Sequence, residues 1–274
     1  MTFQPVLPAT GYAGWRFLQT TLQSQQETFN RSPEIARIAD HFRDRIGQIT
    51  SAEDLVADRR LLQVALGAFG LDDDIDNRFF IRRVLEDGVA ANDSLANRLS
   101  DKRYRALSEA FGFGNGLLPN TVRSTFASDM IARYETKQFE RAVGAQNEDL
   151  RAALAFAPAL REVVDGATSD RARWFTVLGT PPLRLVIETA LGLPASMARI
   201  DLDQQLGEFQ RRAEATFGTS DLSALLDPEV QEKMVRLYLI RAEAQQSDFG
   251  TAGSVALSLL QSGQASLEAI LPRL

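Results

Sequence analysis

Apolar residues recur at every third or fourth position along almost the whole chain, and the strict alternation typical of β-strands is scarce. A clear example follows Ser32 and Pro33, a candidate N-cap with a proline at the first helical position, after which Ile35, Ile38 and Phe42 share one face. Ala and Leu outnumber Val and Ile, which favours helix over sheet. We therefore predict an all-α protein, built as an irregular multi-helical array of about a dozen helices.

The first predicted helix has an unusual polar side. Residues 19–26 are rich in Gln, Ser and Thr and carry no charge, while Trp15, Leu18 and Leu22 form an apolar stripe. We predict that residues 1–31 are a separate polar helical segment, mobile in the isolated protein, which becomes ordered by helix-in-groove contact with a partner. Trp15, Leu18 and Leu22 are then the candidate partner-binding residues.

Three later stretches of the chain share a pattern, and each ends in Ala, then Phe or Leu, then Gly, then Leu or Phe. They are residues 61–71, 103–113 and 183–193. We predict that Gly70, Gly112 and Gly192 end helices, because glycine adopts the left-handed conformation and the next apolar residue packs back on the last turn. The pattern has two interpretations, an internal duplication or generic helix-end chemistry.

The longest helical pattern lies in the middle of the chain and exceeds the usual helix length of roughly 8–20 residues. It is either a spine that joins two lobes or two helices broken at Gly144. We divide the chain into the segment 1–31, a first helical lobe at 32–118, a long connecting helix at 119–164, and a second helical lobe at 165–274.

The composition excludes several classes of function. The chain has no cysteine, so it forms no disulfide or cysteine-ligated zinc site, and its single histidine, His41, excludes multi-histidine metal sites. We expect His41 at the surface or half-buried, since no serine nucleophile motif accompanies it. The 36 acidic residues outnumber the 30 basic ones, which offers no general attraction for nucleic acid. Basic pairs such as Arg59 and Arg60 are interpreted as solvated, ion-paired faces.

Targeting signals are not evident in the chain. No apolar run approaches the ~20 residues of a membrane span, and residues 1–10 lack the pattern of a secretory signal. We therefore expect no membrane insertion and, by default, a cytoplasmic location.

One acidic cluster has the spacing of a metal site. Asp72, Asp73 and Asp76 fit the Asp-Asp-x-x-Asp box with which all-helical isoprenoid enzymes hold Mg²⁺ and a diphosphate, but no second box is present. As an EF-hand loop the cluster has Asn77 and Arg83 where Gly and Glu are required. The favoured interpretation is that these acids lie at the N-terminus of the next helix, where negative charge is stabilising. The three aspartates remain weak candidate metal ligands.

Large aromatic side chains are candidates for either the core or an interface. They include Trp15, the pair Phe79 and Phe80, and the pair Trp174 and Phe175. We expect all of them in the core except Trp15, which we expect on the mobile N-terminal segment.

Several pieces of the chain, in this order, resemble a known family. Residues 39–113, the stretch 139–154 and the stretch 189–194 are similar to the alphaproteobacterial family called domain of unknown function 1217. The resemblance implies a helical protein with no assigned enzymatic activity, whose genes tend to lie among flagellar genes. It supplies no catalytic residues to carry over.

The resemblance and the missing catalytic motifs lead to one hypothesis and two alternatives. The chain is expected to be a non-enzymatic protein that acts in flagellar assembly or function through protein contacts. A sharper variant of this hypothesis makes it an exported axial or rod- and hook-associated component. The first alternative is a cytoplasmic flagellar chaperone or adaptor. The second is a Mg²⁺-dependent helical enzyme that acts on a diphosphate through Asp72, Asp73 and Asp76. No cofactor, no catalytic residue and no nucleic acid partner are expected.

Overall fold

The computed structural model of the protein describes residues 3–116, 118–167 and 169–245, and this part of the chain forms thirteen α-helices and no β-strand. The predicted all-α fold is confirmed. The last part of the predicted second lobe, from residue 246 onward, lies outside the described residues. In chain order the helices are α1 (Gly11–Asn30), α2 (Pro33–Arg45), α3 (Ala52–Ala57), α4 (Arg59–Gly67), α5 (Arg78–Asp87), α6 (Leu95–Arg98), α7 (Lys102–Phe111), α8 (Phe126–Gly144), α9 (Glu148–Gly166), α10 (Asp170–Leu178), α11 (Pro181–Leu191), α12 (Leu202–Phe217) and α13 (228–245).

The chain divides into two compact units. The amino-terminal unit consists of Met1–Leu7 and Leu18–Gln146, and the carboxy-terminal unit consists of Pro8–Phe17 and Asn147–Leu274. The first turns of α1 therefore belong to the carboxy-terminal unit, and the rest of the helix belongs to the amino-terminal unit. Hydrophobic periodicity along α1 could not indicate this division, since it shows which residues are buried and not what covers them.

Two helices, and not one, lie in the region 119–164 for which a long helical run was predicted. The alternative with a break at Gly144 is therefore correct, and the single connecting helix is wrong. Gly144 is the last residue of α8, and the side chain of Asn147 begins α9 by accepting a hydrogen bond of 2.9 Å from the backbone N–H of Leu150. An N-cap of this kind starts a new helix because it satisfies an N–H that has no partner inside the helix.

The three predicted helix stops are confirmed. Gly112 and Gly192 directly follow α7 and α11 with φ of 71° and 66°, and Gly70 has φ of 68° three residues after α4. Leu71 and Leu193 then fold back, each donating a hydrogen bond to a carbonyl five residues earlier, at 2.9 and 3.0 Å. A 3₁₀-helix follows each glycine within a few residues. The three stretches thus share a helix, a left-handed glycine and a following 3₁₀-helix. An internal duplication and generic helix-end chemistry both account for this shared structure.

Each unit has its own core. In the amino-terminal unit α4 and α8 both pack against α2, and in the carboxy-terminal unit α10 and α11 pack against α9. The largest fully buried side chains are Phe42, Phe111, Tyr134 and Phe139 in the first unit, and Phe156, Trp174, Phe209 and Tyr238 in the second. Within the described ranges, none of the helices is both long and apolar enough to cross a membrane.

Candidate interaction sites

The apolar stripe of α1 faces the interior of the chain. Trp15 is 7% exposed and Leu18 is fully buried, while Leu22 is half-buried. The expectation that Trp15 lies outside the core is therefore wrong. Its indole Nε1 donates to a carboxylate oxygen of Glu232 in α13 at 3.4 Å, and the hydroxyl of Tyr12 donates to the other oxygen at 2.8 Å. As partner-binding residues, Trp15 and Leu18 are available only if α1 leaves this position.

The start of α1 is held by a second carboxylate of α13. The hydroxyl of Thr10 donates to Glu243, 233 positions away, at 3.3 Å. Gly11, the first residue of α1, has φ of 58°, and a Cβ added to it would lie 2.4 Å from a carboxylate oxygen of Glu243. Because a helix N-terminus carries partial positive charge, this carboxylate stabilises α1, whose own first turn has no acidic residue.

The uncharged side of α1 has a role within the chain. Gln25 is 6% exposed, and its amide binds both backbone groups of Val6, accepting from the N–H at 2.7 Å and donating to the carbonyl at 3.2 Å. Gln146 similarly donates to the carbonyl of Pro5 at 2.8 Å. A neutral amide can be buried against backbone groups at a much lower cost than a charge. Partner contacts were expected from Trp15, Leu18 and Leu22, and the contact of Gln25 with Val6 was not predicted.

The acidic cluster is distributed among different partners. Asp72 accepts a hydrogen bond from Gln138 at 2.6 Å and forms an ion pair of 3.1 Å with Arg141. Asp73 has a fully exposed side chain and also pairs with Arg141, at 3.9 Å. Asp76, at the far end of the cluster, forms an ion pair of 2.7 Å with Arg59. Asp72 and Asp73 thus share Arg141, whereas Asp76 pairs with a different arginine. In the described part of the chain no three carboxylate or imidazole side chains are grouped closely enough to hold a metal ion.

The acidic cluster precedes α5, as expected, but no side-chain hydrogen bond from it caps that helix. The residue before α5 is Asn77, and neither its side chain nor an aspartate of the cluster is seen to accept a hydrogen bond from the first turn of α5. Asp74 instead accepts a hydrogen bond of 2.6 Å from the hydroxyl of Tyr104. Burial, together with this hydrogen bond, raises the pKa of Tyr104 to about 12. The aspartates stabilise tertiary contacts, which spacing along the sequence cannot distinguish from capping.

His41 is paired with an aspartate that caps a helix. The Nε2 atom of His41 lies 2.7 Å from Oδ2 of Asp58, and Oδ1 of Asp58 accepts hydrogen bonds from the backbone N–H groups of Arg60 and Leu61 at the start of α4. Burial acts to raise the pKa of Asp58, but the hydrogen bonds from His41 and the backbone outweigh it and lower that pKa. The side chain of His41 is about a quarter exposed, as expected for a half-buried residue.

An open depression of about 650 Å³ lies beside this pair in the amino-terminal unit. Its lining is Arg45, Gln48, Ile49, Asp54, Ala57, Asp58, Arg59, Arg60 and Leu61. Arg59 forms the predicted kind of ion pair, with Asp76. Arg45 and Arg60 are exposed, and within the described ranges neither forms an ion pair. The interpretation of Arg59 and Arg60 as an ion-paired face therefore holds for the first residue and not for the second.

One aromatic side chain is exposed where the core was expected. Phe79 on α5 is 77% exposed, because the helix turns Ile81, Val84 and Leu85 toward the interior and so places Phe79 on the opposite side. Trp174 is fully buried, as expected, whereas Phe80 and Phe175 are half-buried. Aromatic residues and arginines are the types that dominate the energetics of protein interfaces, so an exposed Phe79 is a candidate contact residue.

A family match covers more than half of the 274 residues. Residues 68–231 match the family described as "Protein of unknown function (DUF1217)". The chain belongs to this family. The matched segment of this DUF1217 protein includes the acidic cluster and Phe79, whereas the lining of the arginine-rich depression, between residues 45 and 61, precedes it.

The fold of this DUF1217 protein is similar to that of a solved structure. The crystal structure of protein AGR_C_984 from Agrobacterium tumefaciens is 26% identical in sequence, with a TM-score of 0.66, and the match covers 89% of this chain and 99% of that chain. A comparison with curated proteins gives no match. The relationship therefore supports the family and the fold, and no activity comes with it.

Proposed function

We propose that this DUF1217 protein is a non-enzymatic component of flagellar assembly or function that acts through contacts with other proteins. The flagellar part of the proposal rests on the family, whose genes tend to lie among flagellar genes. The non-enzymatic part is supported by the acidic cluster, whose carboxylates serve separate tertiary contacts. His41 likewise serves to hold the cap of α4.

The observation that carries the proposal is the exposure of Phe79. A phenylalanine that is 77% exposed gains the free energy of burial only when another molecule covers it. Arg83 lies one helical turn away on the same face of α5 and is also exposed. Aromatic residues and arginines are among the residue types enriched in interface hot spots, and here one of each lies side by side. Phe79 also lies within the segment that matches the family.

The proposed location is either the exported flagellar structure or the cytoplasm, where the protein acts as a chaperone or adaptor. Both roles use the same helical surface and differ in the fraction of the cell that contains the protein. Affinity purification of the tagged full chain from motile cells, with secreted and cytoplasmic fractions analysed separately, distinguishes them.

The purification is best done with two variants beside the wild type. Phe79→Ala removes the exposed aromatic ring, and Leu185→Ala removes an apolar side chain that is 51% exposed on α11. We expect the wild type and Leu185→Ala to recover flagellar components and Phe79→Ala to lose them, with unchanged melting temperatures. Recovery of metabolic enzymes alone by the wild type contradicts the proposed function.

A further inference from the structure

Residues 3–7 are bound to the rest of the amino-terminal unit through their backbone. The side-chain amide of Gln25 accepts a hydrogen bond of 2.7 Å from the N–H of Val6 and donates one of 3.2 Å to the carbonyl of the same residue. Gln146 donates a third hydrogen bond, of 2.8 Å, to the carbonyl of Pro5. An amide that pairs with both backbone groups of one residue acts as a neighbouring β-strand does when a protein binds an extended peptide.

The amide of Gln25 is held in position by its own helix. Its Nε2 atom also donates a hydrogen bond of 2.8 Å to the hydroxyl of Thr21, one turn earlier on α1, and Gln25 is only 6% exposed. A buried amide that loses the partners supplied by Val6 is left with an unsatisfied acceptor and an unsatisfied N–H, which costs free energy. The amide site, formed by Gln25 and Gln146, is therefore most stable when an extended segment occupies it.

The segment that fits the amide site is defined by the chain itself. Val6 is 51% exposed, so the site binds the backbone of this residue and leaves much of its side chain in water. Pro5 is buried, and it has no N–H group that burial could leave unsatisfied. The fitting occupant is thus an extended segment with a proline before the paired residue. Every other copy of the chain carries that segment, as its own residues 3–7.

The connection that follows the segment is suited to exchange between copies. The segment and the amide site belong to the amino-terminal unit, whereas the chain continues at Pro8 into the carboxy-terminal unit. Pro8 and Ala9 are both exposed. In a reciprocal exchange each site binds the segment of the other copy, so all three hydrogen bonds are kept. Such an exchange of identical elements is a low-cost route to a dimer, and its main cost is the freedom lost on association.

We propose that the amide site binds residues 3–7 of a second copy, so that two copies of the chain associate by exchanging their amino-terminal segments. In dilute protein the chain's own segment occupies the site, because the covalent connection gives it a high effective concentration. The exchanged form is favoured where copies are concentrated. The proposal goes beyond the proposed function, and it does not involve Phe79.

The first test measures, by fluorescence anisotropy, the binding of a fluorescein-labelled peptide with the sequence of residues 3–9. The protein is the full chain with Val6→Pro, which removes the N–H that Gln25 binds and so loosens the chain's own segment. We expect this variant to bind the peptide roughly tenfold more tightly than the wild type does. Adding Gln25→Leu should remove the gain, whereas adding Gln23→Leu, at an exposed position of the same helix, should keep it.

A second peptide tests the same hydrogen bond without a further change to the protein. With Val6→Pro in the peptide, its affinity for the loosened variant should fall roughly tenfold. Equal affinities of the two peptides, or of the wild type and the Val6→Pro variant, overturn the proposal.

The last test asks whether a second copy is the occupant. Full chains with two different affinity tags are mixed at high concentration, diluted and purified through one tag. We expect the other tag to be recovered with the wild type, and recovery to be lost with Val6→Pro in both chains or with an excess of unlabelled peptide. Peptide binding without recovery of a second copy overturns the proposal, and so does recovery that Val6→Pro leaves unchanged. Both proteins are purified, so the outcome is independent of flagellar components.

Discussion

Leu18→Ala tests whether α1 is an integral part of the fold. Leu18 is fully buried, and the substitution removes three carbon atoms, which corresponds to about 2.4 kcal/mol of lost burial at ~0.8 kcal/mol per carbon. The cavity that remains adds to this, so we expect a total loss of roughly 3–4 kcal/mol in the free energy of unfolding. Helix propensity does not oppose the effect appreciably, since Ala and Leu are both strong helix formers.

The assay is urea-induced unfolding followed by far-ultraviolet circular dichroism, with Leu185→Ala as the matched control. Leu185 is the same residue type on a helix but is 51% exposed, so its substitution is expected to change the free energy of unfolding by no more than about 0.5 kcal/mol. If Leu18→Ala behaves like Leu185→Ala, the burial of α1 does not stabilise the protein, and the separate N-terminal segment predicted from the sequence is the better description.

Three further predictions concern a helix end, a half-buried acid and the acidic cluster. Gly218→Ala is expected to lower the free energy of unfolding by about 1 kcal/mol, because Gly218 ends α12 with φ of 77° and has open space around it. Gly207→Ala, inside the same helix, is expected to raise the free energy of unfolding. Equal effects of the two substitutions in thermal unfolding contradict the argument. Burial raises the pKa of Glu135, so the ionised carboxylate destabilises the folded protein above that pKa. Glu135→Gln can still accept the hydrogen bond from Asn30, and it should have a higher melting temperature than the wild type at neutral pH and the same melting temperature in acid. A difference in melting temperature that grows in acid refutes this prediction. Millimolar Mg²⁺ with pyrophosphate should leave the melting temperature unchanged, whereas a diphosphate site in the cluster Asp72–Asp76 would raise it by an amount equivalent to about 2.7 kcal/mol at ~100 times the dissociation constant.

The helix ends show how far local sequence can be trusted in this protein. Gly70, Gly112 and Gly192 adopt the predicted left-handed conformation, and Ser32 precedes α2 while Pro33 is its first residue, as predicted. These features depend on residues within one or two turns of each other, and the physical requirement, a left-handed backbone or a fixed φ, is carried by the residue itself. The backbone conformation at these positions can therefore be predicted without knowledge of the rest of the chain.

The acidic cluster and Phe79 show where sequence reasoning ended. Asp72 and Asp74 bind Gln138 and Tyr104, which are 66 and 30 positions away, so no local spacing could have identified these partners. Phenylalanine is a residue type usually found in the core, and only the orientation of α5 in the fold leaves Phe79 exposed. The depression at Arg45 and Arg60 depends in the same way on how α2 and α4 pack against each other.

Residue pattern and composition are enough to show that the protein is all-helical and where several helices end, and they exclude chemistry based on cysteine or on several histidines. Periodicity, glycine conformation and composition are local properties, and each is available from the residues alone. The tertiary structure decided what covers each apolar stripe and which charge meets which counter-charge. Trp15 illustrates the difference: its stripe was evident in the sequence, but the carboxylate of Glu232 that its indole meets lies 217 positions away and is brought there only by folding.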